Sequence, residues 1–258
     1  MKKQELSIAL LQIDLVWENA EANRVQCEKL INQFTEQVDI VILPEMFTTG
    51  FSMNAAALAE NMDGTTIQWM RNVASKHSIA LSGSLIIAEN DKFYNRFIWI
   101  DSDGVIEYYD KTHLFTLAGE HNFFSDGNTR KIINYKGWKI CPLICYDLRF
   151  PELSRNIEPY YDLLIYVANF PATRAYHWQQ LLIARAIENQ VFTIGVNRVG
   201  VDANNIHYLG QSVLIDYEGN VVNEINNYQN VIYLKLDCEK QQFYRERFSF
   251  LKDYKIFI

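Results

Sequence analysis

A chain of 258 residues with 49% hydrophobic side chains can bury a sizeable core, and its formal net charge of -7 argues against a polyanion such as DNA as a partner. No block of like charge marks a tail or a membrane patch, and no apolar run approaches the roughly 18 residues of a bilayer span. Four cysteines, Cys27, Cys141, Cys145 and Cys238, show no CxxC or zinc spacing, which suits a reduced protein.

The opening stretch, MKKQELSIALLQIDLVW, places two lysines before an apolar run in the manner of a secretion signal. Glu5 and Asp14 interrupt the run, and no small-residue cleavage site follows. The expectation is a first strand over residues 7–15 in a cytoplasmic protein that begins at Met1. Residues 19–34 carry Ala22, Val25, Cys27, Leu30, Ile31 and Phe34 at helical spacing. Residues 38–43 are nearly all apolar, as in a strand buried on both faces. Residues 65–77 read as a helix with Ile67, Met70, Val73 and Ala74 on one side. Strands follow at 79–88 and 93–100 around Glu89-Asn90-Asp91. Asp103-Gly104, Lys136-Gly137 and Glu218-Gly219 each separate two strand-like runs in the manner of hairpin turns. Buried strands are expected at 138–145 and 162–168, with Pro151 opening a short helix between them. Residues 177–189 predict an amphipathic helix, 191–199, 208–216 and 231–236 strands, and 239–248 a last helix. The alternation, without repeat or linker, predicts one α/β domain over residues 1–258, with a C-terminal extension from about 238.

Three reactive residues follow three of these runs: VDIVILPE ends on Glu45, VIEYYDK on Lys111 and WKICPLIC on Cys145. Ligands of α/β sheets gather beyond strand ends, so the three could share a pocket. A thiol near its free pKa of about 8.5 holds little thiolate at neutral pH and needs a base. A carboxylate in an apolar pocket is a better base, and a lysine ammonium lets thiolate and carboxylate coexist while stabilising an oxyanion. Plainer readings stand beside these: Cys145 as core filler like Cys141 four residues earlier, Glu45 as a loop cap, Lys111 in a surface ion pair.

LPEMFTTGF (43–51), YYDKTHLF (108–115) and ICYDLRFPE (144–152), in that order and followed by the block at 168–200, resemble the nitrilase (carbon–nitrogen hydrolase) superfamily over nearly the whole chain. The resemblance implies a four-layer α-β-β-α sandwich, Glu45 as general base, Lys111 as oxyanion-stabilising ammonium and Cys145 as nucleophile. It also implies that the backbone N–H of Tyr146 completes the oxyanion hole. Glu120 in FTLAGEHNFF looks like the family's second glutamate, holding Lys111 or the substrate; the alternative is a solvated loop carboxylate. LAGEHNFFSDGN and NFPATRAYHW look most like the ω-amidase branch, which includes the bacterial YafV-type proteins. Phe170 stands where relatives often carry Trp. The branch implies hydrolysis of 2-oxoglutaramate and 2-oxosuccinamate with release of ammonia, no metal or organic cofactor, and a homodimer.

An anionic substrate wants a cation at its far end. Arg149 is one candidate, with a structural ion pair to Asp147 or Glu152 as the alternative. Arg174 and His177 could line the pocket or serve helix capping and packing. Tyr146 and Phe170 are pocket wall or core, and Trp178, Leu181, Leu182, Arg185 and Ile187 read as a packing stripe. Rival readings are another amide specificity (deaminated glutathione, an N-carbamoyl compound, a nitrile), a silent binding protein, and a redox role for Cys145.

Overall fold

The computed structural model describes residues 5–255. The two lysines of the opening stretch and the last three residues of the C-terminal segment lie outside the described residues. In chain order the elements are β1 (Leu6–Gln12), α1 (Ala20–Asn32), β2 (Ile40–Ile42), α2 (Ala55–Leu58), α3 (Thr65–His77), β3 (Ala80–Glu89), β4 (Lys92–Ile100), β5 (Ile106–Asp110), β6 (Ile133–Tyr135), β7 (Trp138–Ile144), α4 (Pro151–Ser154), β8 (Leu163–Ala168), α5 (Ala175–Asn189), β9 (Phe192–Asn197), β10 (Val199–Val201), β11 (His207–Leu209), β12 (Val213–Ile215), β13 (Asn230–Leu236) and α6 (Cys238–Arg247). One sheet runs β13-β1-β2-β3-β4-β5, the other β12-β9-β8-β7-β6, and β10 pairs with β11 in a small ribbon.

The fold is the four-layer α-β-β-α sandwich, and the period of two in β1 shows how it forms. Leu6, Ile8 and Leu10 join Ile140, Ile165 and Ile194 of the other sheet in the central core. Ala9, Leu11 and Ile13 point the opposite way, against Cys27 and Ile31 of α1 and Met70 and Val73 of α3. On the far side α5 lays Trp178, Leu182 and Ala186 over β9. It packs so closely that a Cβ on Gly195 would stand 2.5 Å from both Leu182 and Trp178.

The hairpin signals hold: Asn90 and Asp91 have φ of 50° and 58°, Lys136 and Gly137 47° and 84°, the paired positive values of a two-residue turn. Pro151 occupies the first position of α4, and α3 spans residues 65–77 as predicted. Two expected strands are broken. Residues 191–199 stop at Asn197, because the Val199 N–H leaves its sheet to reach the Ile13 carbonyl at 3.0 Å. Residues 208–216 split at Gly210 and Gln211 (φ 68° and 59°), where Gly210 presses on the Gln12 side chain and the Ser212 N–H donates to Gln12 Oε1 at 2.8 Å. The predicted α5 stripe also needs correction: Ile187 is half exposed, on the opposite side from Trp178 and Leu182. After β13, Asp237 caps α6, and α6 docks on β8 as Gln241 Nε2 donates to the Asp162 carbonyl at 2.8 Å and Arg245 to the Tyr161 carbonyl at 2.7 Å.

Candidate active site

Strand ends from both sheets meet at one place. The first sheet supplies Glu45 beyond β2, Asn95 inside β4 and Lys111 beyond β5; Glu120 follows in the loop after Lys111. The second supplies Cys145 and Asn169, each the next residue after the adjacent parallel strands β7 and β8. Lys111 stays in register because its N–H donates to the Asn95 carbonyl at 3.0 Å. On the strand's other face Arg96 and Asp110 bond at 2.6 and 2.9 Å. Cys145 turns the chain abruptly with φ of 45°, and Met46, after Glu45, has φ of 44°. Such left-handed non-glycine positions are costly and persist only where their surroundings impose them.

Asp147 imposes the Cys145 turn. Its buried carboxylate accepts from the Ile144 N–H (3.0 Å), Tyr109 Oη (2.8 Å) and the His113 N–H (2.9 Å). It thereby ties the cysteine turn of one sheet to the lysine strand and loop of the other. These bonds use the carboxylate that an Arg149 ion pair would have required.

Lys111 is buried between two buried carboxylates. Nζ donates to Glu45 Oε1 at 3.0 Å and to both oxygens of Glu120 at 2.9 Å, so its three N–H groups are all engaged. Asn95 Nδ2 donates to Glu45 Oε1 at 2.8 Å and Glu120 Oε1 at 3.3 Å, while Asn95 Oδ1 accepts from Ser84 at 2.8 Å. The Asn169 N–H reaches Glu45 Oε2 at 2.8 Å, and the Phe115 N–H reaches Glu120 Oε2 at 2.5 Å. Glu45 is therefore no loop cap, Lys111 no surface ion pair and Glu120 no solvated carboxylate. Asn95 and Asn169 escaped the sequence reading. The signal for Asn95 was an Asn-Arg pair inside the otherwise apolar strand KFYNRFIWI; Asn169 opened the NFP segment already singled out.

Burial would push Lys111 toward its neutral form, but Glu120 and then Glu45 outweigh it and hold its pKa above the usual lysine range. Burial raises the Glu120 carboxyl, with Lys111 opposing and the Glu45 charge reinforcing. Burial and the Glu45 charge lift the Cys145 pKa well above the ordinary thiol range, although Lys111 pulls it down. The Cys145 proton is thus held more firmly than on an ordinary thiol. Cys141 is different: fully buried within β7, pushed to about 12 by burial, it belongs to the core.

Cys145 and Lys111 open into a cleft of about 530 Å³, mouth included, with Phe51, Phe115, Tyr146, Phe170 and Tyr208 among its walls. Arg149 and Arg174 also line it; Arg149 lies over Phe170 with 5.9 Å to the ring centroid and Arg174 over Phe115 with 5.3 Å. Phe170 packs on Trp178, and Asn197 fixes it by bonding both its N–H and its carbonyl. His177 does not join the lining: it is exposed, and its Nδ1 lies 3.1 Å from Arg149 Nη2. Among the described residues no group of three or more His, Cys, Asp or Glu side chains could hold a metal ion.

The sequence matches the carbon–nitrogen hydrolase family over residues 7–246. It is 46% identical over 251 residues, 96% of each chain, to the omega-amidase YafV of Yersinia enterocolitica. It is 33% identical over 252 residues, again 96% of each, to the 2-oxoglutaramate amidase of Bacillus subtilis. The crystal structure of a CN-hydrolase superfamily protein from Xanthomonas campestris, with an arsenic adduct in its active site, superposes with a TM-score of 0.96 at 40% identity over 99% of each chain.

Proposed function

The chain belongs to the carbon–nitrogen hydrolase family, and on that premise we propose that it hydrolyses the terminal amide of short 2-oxo acid amides, 2-oxoglutaramate and 2-oxosuccinamate, to the acid and ammonia. The observation that carries this is the cleft itself. Cys145 and Lys111 lie at its floor, Glu45 bonds Lys111 from behind at 3.0 Å, and Arg149 and Arg174 stand on its walls. The omega-amidase and 2-oxoglutaramate amidase relatives support the same substrate class.

The substrate carbonyl oxygen lies toward Lys111 and the Tyr146 N–H. Glu45 takes the Cys145 proton and the thiolate attacks the amide carbon. As Glu45 becomes neutral its hold on Lys111 weakens, so an N–H engaged at rest turns to the oxyanion, a contact of the kind worth about 3–4 kcal/mol in the transition state. The C–N bond breaks as Glu45 returns the proton to nitrogen, and ammonia leaves a Cys145 thioester. Water, deprotonated by Glu45, hydrolyses the thioester and restores the thiol. Glu120 keeps Lys111 charged and in place. Arg149 and Arg174 receive the substrate carboxylate, with His177 steadying Arg149, and Tyr146 and Phe170 bound the acyl chain. The reaction uses the protein's own side chains and the Tyr146 backbone N–H, without metal or cofactor.

We read residues 1–258 as one catalytic domain with the segment from about 238 as an extension, acting as a cytoplasmic homodimer on a small-molecule amide. No helix among the described residues is long and apolar enough to cross a membrane. The test is ammonia release from 2-oxoglutaramate beside glutamine, an aliphatic nitrile and deaminated glutathione, with Cys145→Ala as control. Turnover of the first, absent in the variant, is expected. Preference for another amide would move the specificity, and silence on all four would sink the reading.

A further inference from the structure

Around the buried ion pairs nearly every polar atom has a partner, but Asn169 Oδ1 has none, although it is buried. The orientation of this carboxamide is settled by chemistry. Its nitrogen lies 2.8 Å from the Glu45 carbonyl and 3.4 Å from Glu45 Oε2, both acceptors, so a reversed amide would set oxygen against oxygen. Oδ1 therefore turns away from Glu45. The neighbouring donors are occupied elsewhere: Lys111 with Glu45 and Glu120, Asn95 with the same two carboxylates, and the Asn169 N–H with Glu45. Asn169 lines the cleft together with Cys145 and Lys111. A buried amide oxygen without a donor is costly, and a ligand that brings an N–H removes the cost.

We infer that Asn169 Oδ1 accepts an N–H of the substrate's primary amide and makes Asn169 the residue that selects amides over esters of the same acid. The inference rests on the amidase reading above. With the substrate carbonyl oxygen on Lys111 and the Tyr146 N–H, the amide nitrogen must lie on the Glu45 side, because Glu45 protonates it. Asn169 bonds Glu45 through its nitrogen and lines the same cleft, and on this inference its unpartnered oxygen is the acceptor that the amide nitrogen meets. One N–H donated to Oδ1 holds the nitrogen with its lone pair toward the Glu45 proton. When the C–N bond breaks, the bonding pair stays on nitrogen, the proton arrives from Glu45, ammonia leaves, and the acyl carbon keeps its new bond to Cys145 sulfur. An ester has no N–H there and sets a second oxygen against Oδ1.

The experiment compares kcat/KM for 2-oxoglutaramate and for the methyl ester of the same carboxyl group, in the wild type and in Asn169→Ala. Weaker support for Glu45 lowers both rates together, since either leaving group needs the same proton. Loss of the Oδ1 acceptor lowers the amide alone. The amide-to-ester ratio is expected to drop about 10-fold in the variant, the weight of one hydrogen bond. An unchanged ratio with both rates reduced would overturn the inference and leave Asn169 a support for Glu45. A wild type that cleaves neither substrate would bring down the amidase reading and this inference with it; one that cleaves the amide while the ratio stays fixed brings down the inference alone. A crystal structure of Cys145→Ala with bound 2-oxoglutaramate tests the point without touching Asn169. The amide nitrogen within about 3.2 Å of Oδ1 supports it, and the nitrogen turned elsewhere refutes it.

Discussion

Replacing Lys111 by Met keeps a stem of similar length and deletes the ammonium. Glu45 loses a donor at 3.0 Å and Glu120 two at 2.9 Å, leaving two buried carboxylates that share the amide of Asn95. Removing one member of a buried ionic group costs about 3–5 kcal/mol. The molecule can recover part of this by taking up a proton. Lys111 now lowers the Glu120 pKa while burial and the Glu45 charge raise it, so deleting the cation lifts it further. A carboxyl raised in the folded state and ordinary in the unfolded chain stabilises the fold at low pH, and that stability is lost as pH rises. Between the ordinary value and the new one the slope is about 1.4 kcal/mol per pH unit. Urea unfolding of Lys111→Met beside the wild type, at about pH 6 and about pH 8, reads both quantities. The expected result is an inactive variant several kcal/mol less stable near pH 8, with the deficit shrinking toward pH 6. A deficit below about 1 kcal/mol, or one flat in pH, would refute the ion-pair reasoning, since it would mean the carboxylates tolerate each other without the cation.

Cys145→Gly and Cys145→Ala should both abolish turnover, but the glycine variant should unfold about 1 kcal/mol later, because φ of 45° strains any residue with a Cβ; equal urea midpoints would argue against strain at the turn. Gly195→Ala should destabilise by about 1–3 kcal/mol, measured by urea unfolding, because its Cβ would stand 2.5 Å from Trp178 and Leu182. The Cys145 pKa is raised, chiefly by burial and the Glu45 charge, so alkylation by iodoacetamide should still be accelerating with pH beyond about 9, where an ordinary thiol levels off. A plateau near neutrality would mean that Lys111 prevails and the thiolate is the resting form.

Local chemistry made much of this legible. The pattern of residues 65–77 is α3, since its apolar stripe meets a flat sheet face and nothing else competes for it. The two-residue turns at Asn90-Asp91 and Lys136-Gly137 are signalled by Asn90, Asp91 and Gly137, residue types that accept positive φ. Glu45, Lys111 and Cys145 could be picked out because reactive residues at strand ends stand out against apolar runs, whereas Glu120, in a loop, was named only through the family resemblance. What stayed hidden depends on contacts distant in sequence. The break after Asn197 answers to Ile13, the break at Gly210 to Gln12, and neither partner is visible from the run it interrupts. Asn95 and Asn169 escaped for the same reason: an amide in a strand or turn has no meaning until the carboxylates it holds are beside it. His177 shows the converse. Its position at the head of α5 suggested the cleft, but helix phase turns it to solvent, where it meets Arg149 from outside.

The reacting groups hang from facing sheets that the central core joins through aliphatic and aromatic side chains: Glu45, Asn95 and Lys111 on one, Cys145 and Asn169 on the other. Dispersion forces hold such a layer without prescribing its register, so the Asp147 brace between Tyr109, His113 and the cysteine turn acts as a dowel through two boards. Neither board carries a complete set of reacting groups. Turnover thus serves as a caliper on the lamination: a slip of an ångström between the sheets would silence the thiol while every strand kept its own hydrogen bonds. A partly assembled chain, with its layers still apart, would hold nucleophile and base in separate halves and catalyse nothing.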